Sequence, residues 1–270
     1  MPLSKCNIIK YLSYFYYKHI RIFKRLFWKL FPKTDEQCLE YLHKTKHITR
    51  YPHIASIDET IDKLLSGNYS IARYGDGEYT LCFNRPIKFQ QADKKLGKRL
   101  RQILKSETQC LIGLPEFRLT NLTSFWKRYW YENLAEINSL LNPRIHYYNQ
   151  SISREFSVEQ LLRLKKLWQN RSVIFVFGKN SRFEYTHEIF SEIANYTTIT
   201  SLAQNAWSEY DKVLQDTLHH AKTMSNPLII ISLGPTATVL AFDICLAGYQ
   251  AIDIGHITNI YDNLMYGKGS

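Results

Sequence analysis

Cysteine is scarce in this chain of 270 residues. The five are scattered at Cys6, Cys38, Cys82, Cys110 and Cys245, and no two form a C-x-x-C pair. A disulfide-stapled scaffold and a zinc ribbon are thereby poor readings, and a reducing compartment is the better one. Long apolar runs are also missing: none reaches the roughly 18 residues of a spanning helix. No A-x-A-like cleavage site follows a short apolar core, so no secretory leader is expected. The glycine-rich patterns G-x-x-x-x-G-K-[ST] and G-x-G-x-x-G do not occur, which leaves P-loop and dinucleotide-binding labels without support. Repeats of fixed period and low-complexity linkers are absent too. At 45% apolar and 22% charged residues the composition is globular, not disordered or coiled-coil. The length suits one large domain or two small ones with a sizeable core.

Acid is wholly absent from residues 1–33, which carry Lys5, Lys10, Lys18, Arg21, Lys24, Arg25, Lys29 and Lys33. These eight cations account for most of the net charge of +11 and leave +3 for the remainder. The basic balance therefore belongs to one segment, and a nucleic-acid-binding domain is not expected. Within that segment Ile8, Leu12, Phe15, His19, Ile22 and Leu26 follow helical spacing, and Pro32 ends the run. An aromatic face flanked by cations predicts a helix in the headgroup layer of an anionic membrane. Docking of that helix on its own domain or on a partner subunit stays open.

From Ser56 onward, helical patterns alternate with short apolar runs. Ser56-Ile-Asp-Glu59 reads as a capping box, as does Ser157 to Gln160. Strands are expected at YSIARYG, QCLIGLP, RIHYYN, RSVIFVFG, TTITSL, PLIIISLG and QAIDIG. Helices are expected at Ala92–Leu104, Thr123–Leu141, LLRLKKLW, FEYTHEIFSEIAN, EYDKVLQDTLHHAKTM and TATVLAFDICLAG. Strand–helix units in series predict an α/β fold, a Rossmann-like, mostly parallel sheet with helices on both faces.

Ligands in such sheets bind beyond the carboxyl ends of the strands, and three strand ends carry unusual residues. In Arg73-Tyr-Gly-Asp-Gly-Glu78, Asp76 and Glu78 lie two apart and would share one side of an extended segment. Gly75 and Gly77 allow tight turns and close ligand approach. Two hard oxygen donors suit Mg²⁺ or Mn²⁺ held together with a diphosphate; an acidic hairpin turn is the structural alternative. Gly178-Lys-Asn-Ser-Arg182 offers Lys179, Ser181 and Arg182 to an anion. Gly234-Pro-Thr-Ala-Thr238 places Pro235 and Thr236 at a helix start, where free N–H groups can hold phosphate. Together the three point to a metal-bound nucleotide diphosphate.

The histidines discriminate less. His43 and His47 are spaced as zinc ligands but lack a third, and His219 and His220 diverge on a helix. His256, at a strand end, is the one kept as a site candidate. The aromatic stretch Phe125 to Tyr131 suits core packing better than ring stacking on a ligand.

In this order, IARYGDGE, FGKNSRFE, SLGPTATVLAFD and GYQAIDIGHI resemble the signature blocks of the GT-D-fold bacterial glycosyltransferases, over about residues 54–264. The resemblance implies a glycosyltransferase domain (34–270), to which the basic N-terminal helix (1–33) is an addition. It implies a D-x-E motif, filled here by Asp76 and Glu78, that coordinates a divalent cation, usually manganese, at a nucleotide-sugar diphosphate. Arg73, Lys179 and Arg182 would stabilise phosphate charge, and the loop at Gly234 would donate N–H groups. The implied reaction moves a sugar, from UDP-glucose or another UDP-sugar, to a glycan, glycoprotein or lipid-linked acceptor in adhesin glycosylation or in capsular or exopolysaccharide assembly. The cysteine usage and the basic segment 1–33 lead to the expectation of a cytoplasmic place, peripheral at the inner face of the membrane; a homo-oligomer is left open.

One departure stands out. The family block continues after GHI with an acid just before a tyrosine, and GHITNIYDN here puts Ile260 at that position. A catalytic base must then come from Asp262, His256, Asp253 or another carboxylate. The alternative is a degenerate protein that binds nucleotide sugar, or serves as a membrane-associated scaffold, without turnover.

Overall fold

The structure is a computed structural model and describes residues 32–46 and 51–267. The amphipathic helix expected over 8–31 lies outside the described residues, as does His47. The chain divides into two compact units, residues 1–49 with 118–134 and residues 50–117 with 135–270.

In the first unit Asp35–Thr45 forms helix α1. Thr34 and Gln37 close a capping box at its start, each side chain satisfying the other's backbone N–H. Arg128 Nε donates to Asp35 Oδ1 at 3.1 Å, and Tyr131 meets Tyr41 edge-on. The neighbouring aromatic stretch stacks on itself, with the Trp126 and Trp130 centroids 5.5 Å apart; Trp130 is buried and Phe125 exposed.

The second unit is built on seven strands: Ser70–Arg73 (β1), Cys110–Leu114 (β2), Tyr148–Asn149 (β3), Ser172–Gly178 (β4), Asn195–Ser201 (β5), Leu228–Ser232 (β6) and Gln250–Asp253 (β7). They form one sheet in the order β3-β2-β1-β7-β6-β4-β5, and every pairing is parallel. All seven carboxyl ends therefore lie along one edge. Further helices of the chain are α2 (Ile57–Leu65), α3 (Asp76–Cys82), α4 (Lys94–Ile103), α5 (Ser124–Leu140, most of which belongs to the first unit), α6 (Val158–Lys165), α7 (Tyr210–Thr223), α8 (Pro235–Leu246) and α9 (Ile257–Tyr266).

Alternation along the strands sends Ile71, Val173, Phe175, Ile230 and Ile252 to one face, where Ile61, Leu64, Leu161, Trp168 and Ile257 cover them. Ala72, Ile174, Val176, Ile229, Ile231 and Ala251 point to the other face and are equally buried. α8 crosses that face over β1 and β7. It is buried at nearly every position because it is apolar all round, as a helix sealed under its neighbours must be.

β1 and β7 share a single register pair, Ile71 with Ile252, whereas β4 and β5 share seven. Side chains complete that seam. The Ser70 hydroxyl accepts from Ala251 N at 2.9 Å, and Gln250 Nε2 donates to Tyr69 O at 2.9 Å. At the carboxyl end, Arg73 Nη2 reaches Asp253 Oδ1 at 3.1 Å and Arg73 Nε reaches Asp253 O at 2.6 Å.

Two elements differ from the sequence reading. FEYTHEIFSEIAN is not a helix: only Glu188–Phe190 coils, as a 3₁₀ turn. Phe183 reaches the core from irregular backbone and Ile189 and Phe190 from the 3₁₀ turn, and aromatic residues gain little from helical geometry. RIHYYN joins the sheet over only two residues, Tyr148 and Asn149, at its end, while Tyr147 makes an isolated parallel bridge with Ile54.

Candidate functional site

β1 stops at Arg73, and Gly75 caps α3 with extended backbone (φ −128°, ψ −162°). Asp76 and Glu78 are thus the first and third residues of a helix. This corrects both the extended segment and the hairpin turn expected there. Neither Gly75 nor Gly77 takes a positive φ. The turn forms because acids are favoured where helix N–H groups are unpaired. Glu78 folds back so that its Oε2 accepts from Gly75 N at 2.7 Å.

Burial pushes the Glu78 carboxyl up to about 7, and the negative charge of Asp253 adds to the rise; hydrogen bonds from backbone N–H groups and the charge of Arg154 oppose it. Such a carboxylate sits in a pocket with too little positive charge. With Asp76 it supplies two hard oxygen donors. Among the described residues no group of three or more His, Cys, Asp or Glu is arranged to hold a metal ion. The donor set fits an Mg²⁺- or Mn²⁺-type ion only where phosphate oxygens and water fill the remaining positions, as is common for such ions.

Arg73 does not present its charge to a ligand as the sequence reading expected. It is 6% exposed, and Nη1 donates to Gln150 O at 3.1 Å while Nη2 and Nε hold Asp253. Thr238 Oγ1 of α8 donates to the Arg73 carbonyl at 2.8 Å. Gly255, at φ +56°, leaves room for the guanidinium: a Cβ there would stand 2.4 Å from Arg73 Nη2. Arg73 braces the strand ends and neutralises Asp253.

The other strand ends converge here. A side chain at Gly77 would touch Pro235, so the first turns of α3 and α8 are neighbours. Gly234 enters α8 with φ +53° and ψ −147°, a conformation open mainly to glycine, and Pro235 occupies the first turn. Thr236 is buried, and its hydroxyl has no hydrogen-bond partner. His256, just before α9, is exposed at its rim, yet desolvation and then Arg154, Arg73 and Arg182 depress its imidazole below the ordinary value. The electrostatics thus bring His256, Arg154, Arg182, Asp253 and Glu78 into one neighbourhood.

At the end of β4, Gly178 lies so close to Ala203 that a Cβ would meet its Cα at 2.8 Å. Lys179 N continues the ladder to Ser201 O at 2.8 Å, and Ser181 N closes a turn onto Gly178 O. Lys179 and Arg182 are exposed and Ser181 half-buried.

Two candidates lie elsewhere in their bonding. Asp262 Oδ1 pairs with His187 Nε2 at 3.2 Å, and Ile260 packs against the apolar core. Arg154, which acts on both His256 and Glu78, was not expected; its signal was its place just beyond RIHYYN, at a strand's carboxyl end.

Among the described residues no helix is long and apolar enough to cross a membrane. Residues 71–268 match the family model described as "Glycosyltransferase GT-D fold". The chain is 32% identical over 254 residues to a probable glycosyl transferase Gly of Streptococcus gordonii, covering 87% of this chain and 36% of that protein. It is 29% identical to glycosyltransferase GlyD of Streptococcus pneumoniae serotype 4, covering 79% of this chain and 28% of the relative. It therefore spans about a third of the length of these relatives. A solved structure described as a new glycosyltransferase (DUF1792) from Streptococcus sanguinis superposes with a TM-score of 0.74 at 31% identity, covering 80% of this chain and 86% of that one. A second, reported as a domain with a distinct glycosyltransferase fold, gives 0.74 at 28% identity, with 87% and 86% covered. With the parallel sheet and the strand-end residues already in place, this match shows that the chain belongs to the glycosyltransferase GT-D fold family.

Proposed function

We propose that the chain is a glycosyltransferase that moves a sugar from a nucleotide-diphosphate donor, a UDP-sugar, to a glycan, glycoprotein or lipid-linked acceptor. The observation that carries this reading is the meeting of two features at the strand ends. A two-carboxylate helix turn, Asp76 and Glu78, sits beside the glycine–proline entry to α8. Carboxylates with a phosphate-binding helix start match a sugar diphosphate better than a neutral metabolite.

Asp76 and Glu78 would hold Mn²⁺ or Mg²⁺, which when bound supplies Lewis-acid neutralisation of the departing diphosphate. The first N–H groups of α8 and the exposed cations Arg154, Arg182 and Lys179 would stabilise the developing charge. His256 would take the acceptor's proton in an inverting transfer. Its depressed pKa keeps the imidazole neutral near pH 7, the form a base requires. Asp253 is committed to Arg73 and Asp262 to His187.

The test is a thermal-shift panel of UDP-, GDP-, TDP- and CMP-sugars, each with manganese and with chelator. Stabilisation by one nucleotide class that requires manganese and disappears in Asp76→Ala is the expected result. No stabilisation by any donor would sink the reading. The core-packed Ile260 favours one rival, a protein that binds nucleotide sugar without turnover. Donor binding with no sugar released or transferred would establish that rival. The basic aromatic segment 8–31 would hold the enzyme at an anionic membrane; vesicle co-sedimentation that is unchanged by deleting residues 1–33 would remove this role.

A further inference from the structure

The connection from β4 to β5 walls a second concavity, at the amino end of β5 and so toward the opposite edge of the sheet from the carboxylate turn. Its volume is about 560 Å³, within the range of small-molecule sites. Tyr185, Thr186, His187, Ser191, Asn195 and Tyr196 contribute to its lining, which contains no Lys, Arg, Asp or Glu. Tyr185 is fixed from behind by Phe177, stacked at 5.5 Å, and meets the Tyr196 ring at 5.4 Å. Tyr196 is 49% exposed.

Two features are unusual. β5 is an edge strand of seven residues, NYTTITS, without a single charge, although exposed edges ordinarily carry charge to prevent pairing. The cleft also combines ring faces with hydroxyl, amide and imidazole groups at its margin. A neutral ligand with an apolar C–H face and a rim of hydroxyls matches both, since C–H hydrogens favour the negative face of an aromatic ring. A pyranose is such a ligand; a phosphate or a carboxylate is not, because no cation lines the cleft.

The cleft is also tied to the strand-end site. His187, in its wall, pairs with Asp262 of α9, and α9 begins beside His256. From His256 to Asp262 the helix rises about 9 Å at roughly 1.5 Å per residue. We propose that this cleft binds a neutral sugar ring of the acceptor glycan, set back along the chain from the hydroxyl that reacts. The word acceptor rests on the transfer reading above; the sugar site itself does not. Remote contacts of this kind place the reacting end and favour longer acceptors over single sugars.

The probe is a panel of uncharged tetrasaccharides of glucose, galactose and N-acetylglucosamine, followed by saturation-transfer NMR with the full chain and no donor. At least one is expected to receive saturation, and Tyr196→Ala is expected to weaken it at least tenfold. Tyr196→Phe, which keeps the ring, is expected to retain it, and the nucleotide-sugar thermal shift should be the same in all three proteins. Absence of saturation for every tetrasaccharide, or equal binding by Tyr196→Ala, overturns the proposal. Loss of sugar binding in Tyr196→Ala by a chain that binds no nucleotide sugar upholds the cleft and refutes transfer.

Discussion

Replacing Glu78 by glutamine should make the protein more stable at alkaline pH while weakening its donor site. Glu78 is held at about 7 against an ordinary 4.5. At 1.36 kcal/mol per pKa unit this difference amounts to about 3 kcal/mol. Because an acid's pKa is raised, the native state keeps a proton between those two values that the unfolded chain has already released. Stability therefore falls as pH rises from about 4.5 to about 7, and the full cost is present above that window. Glutamine carries no charge to desolvate, and its amide oxygen can still accept from Gly75 N, the bond Glu78 makes now. In chelator at about pH 8 the variant should gain roughly 2–3 kcal/mol, or about 5–10 °C in Tm for a chain of this size. At about pH 4.5 the two proteins should melt together. Manganese-dependent stabilisation by a nucleotide sugar should drop in the same variant, a trade of activity for stability familiar at functional sites. Melting curves for both proteins across this pH range decide the matter. A Tm difference that does not vary with pH, or a variant less stable at about pH 8, would refute the assignment of a desolvated charge.

Gly255→Ala should cost about 3–5 kcal/mol, since it adds left-handed strain and displaces a buried guanidinium from charged partners. Gly248→Ala, with positive φ but open space around it, should cost about 1–2 kcal/mol by denaturant titration; equal losses would refute the Arg73 contact. Cys245, whose thiol is lowered to about 7 by hydrogen bonds from Cys110 and Ser70, should alkylate with a pH midpoint near 7. Peptide mapping that finds the midpoint near 9 counts against that pairing. Arg154→Ala should raise the His256 pKa toward its ordinary value, as followed by imidazole NMR; an unchanged titration would place Arg154 away from the site.

β1, β2, β4, β6 and β7 were legible because each is a short, largely apolar run bounded by turn residues, and the Ser56 and Ser157 capping boxes form as read. The Asp76–Glu78 turn was half legible. Glutamate three residues past a strand-end glycine is a helix-start signal, but Gly77 between the acids argues against a helix and masked it. Arg73 looked like a phosphate ligand because burial is not written locally. Only the adjacency of β1 and β7, strands 180 residues apart in sequence, shows that Asp253 claims it. The same holds for Arg154, whose neighbours Glu78 and His256 follow the first and last strands of the sheet by sequence. Local pattern identifies elements; strand order decides which of their ends meet.

The seam between β1 and β7 has a consequence for how such a molecule changes over generations. Elsewhere in the sheet the strands are joined by main-chain groups, which no codon change deletes, short of proline. At the seam Ser70, Gln250, Arg73 and Asp253 carry much of the union, and each is one substitution away from removal. The two halves of the sheet are thus coupled through a genetically adjustable joint, with Arg73 and Asp253 at its end nearest the carboxylates. Drift at four positions can loosen or tighten the crevice while the strands on either side keep their registers.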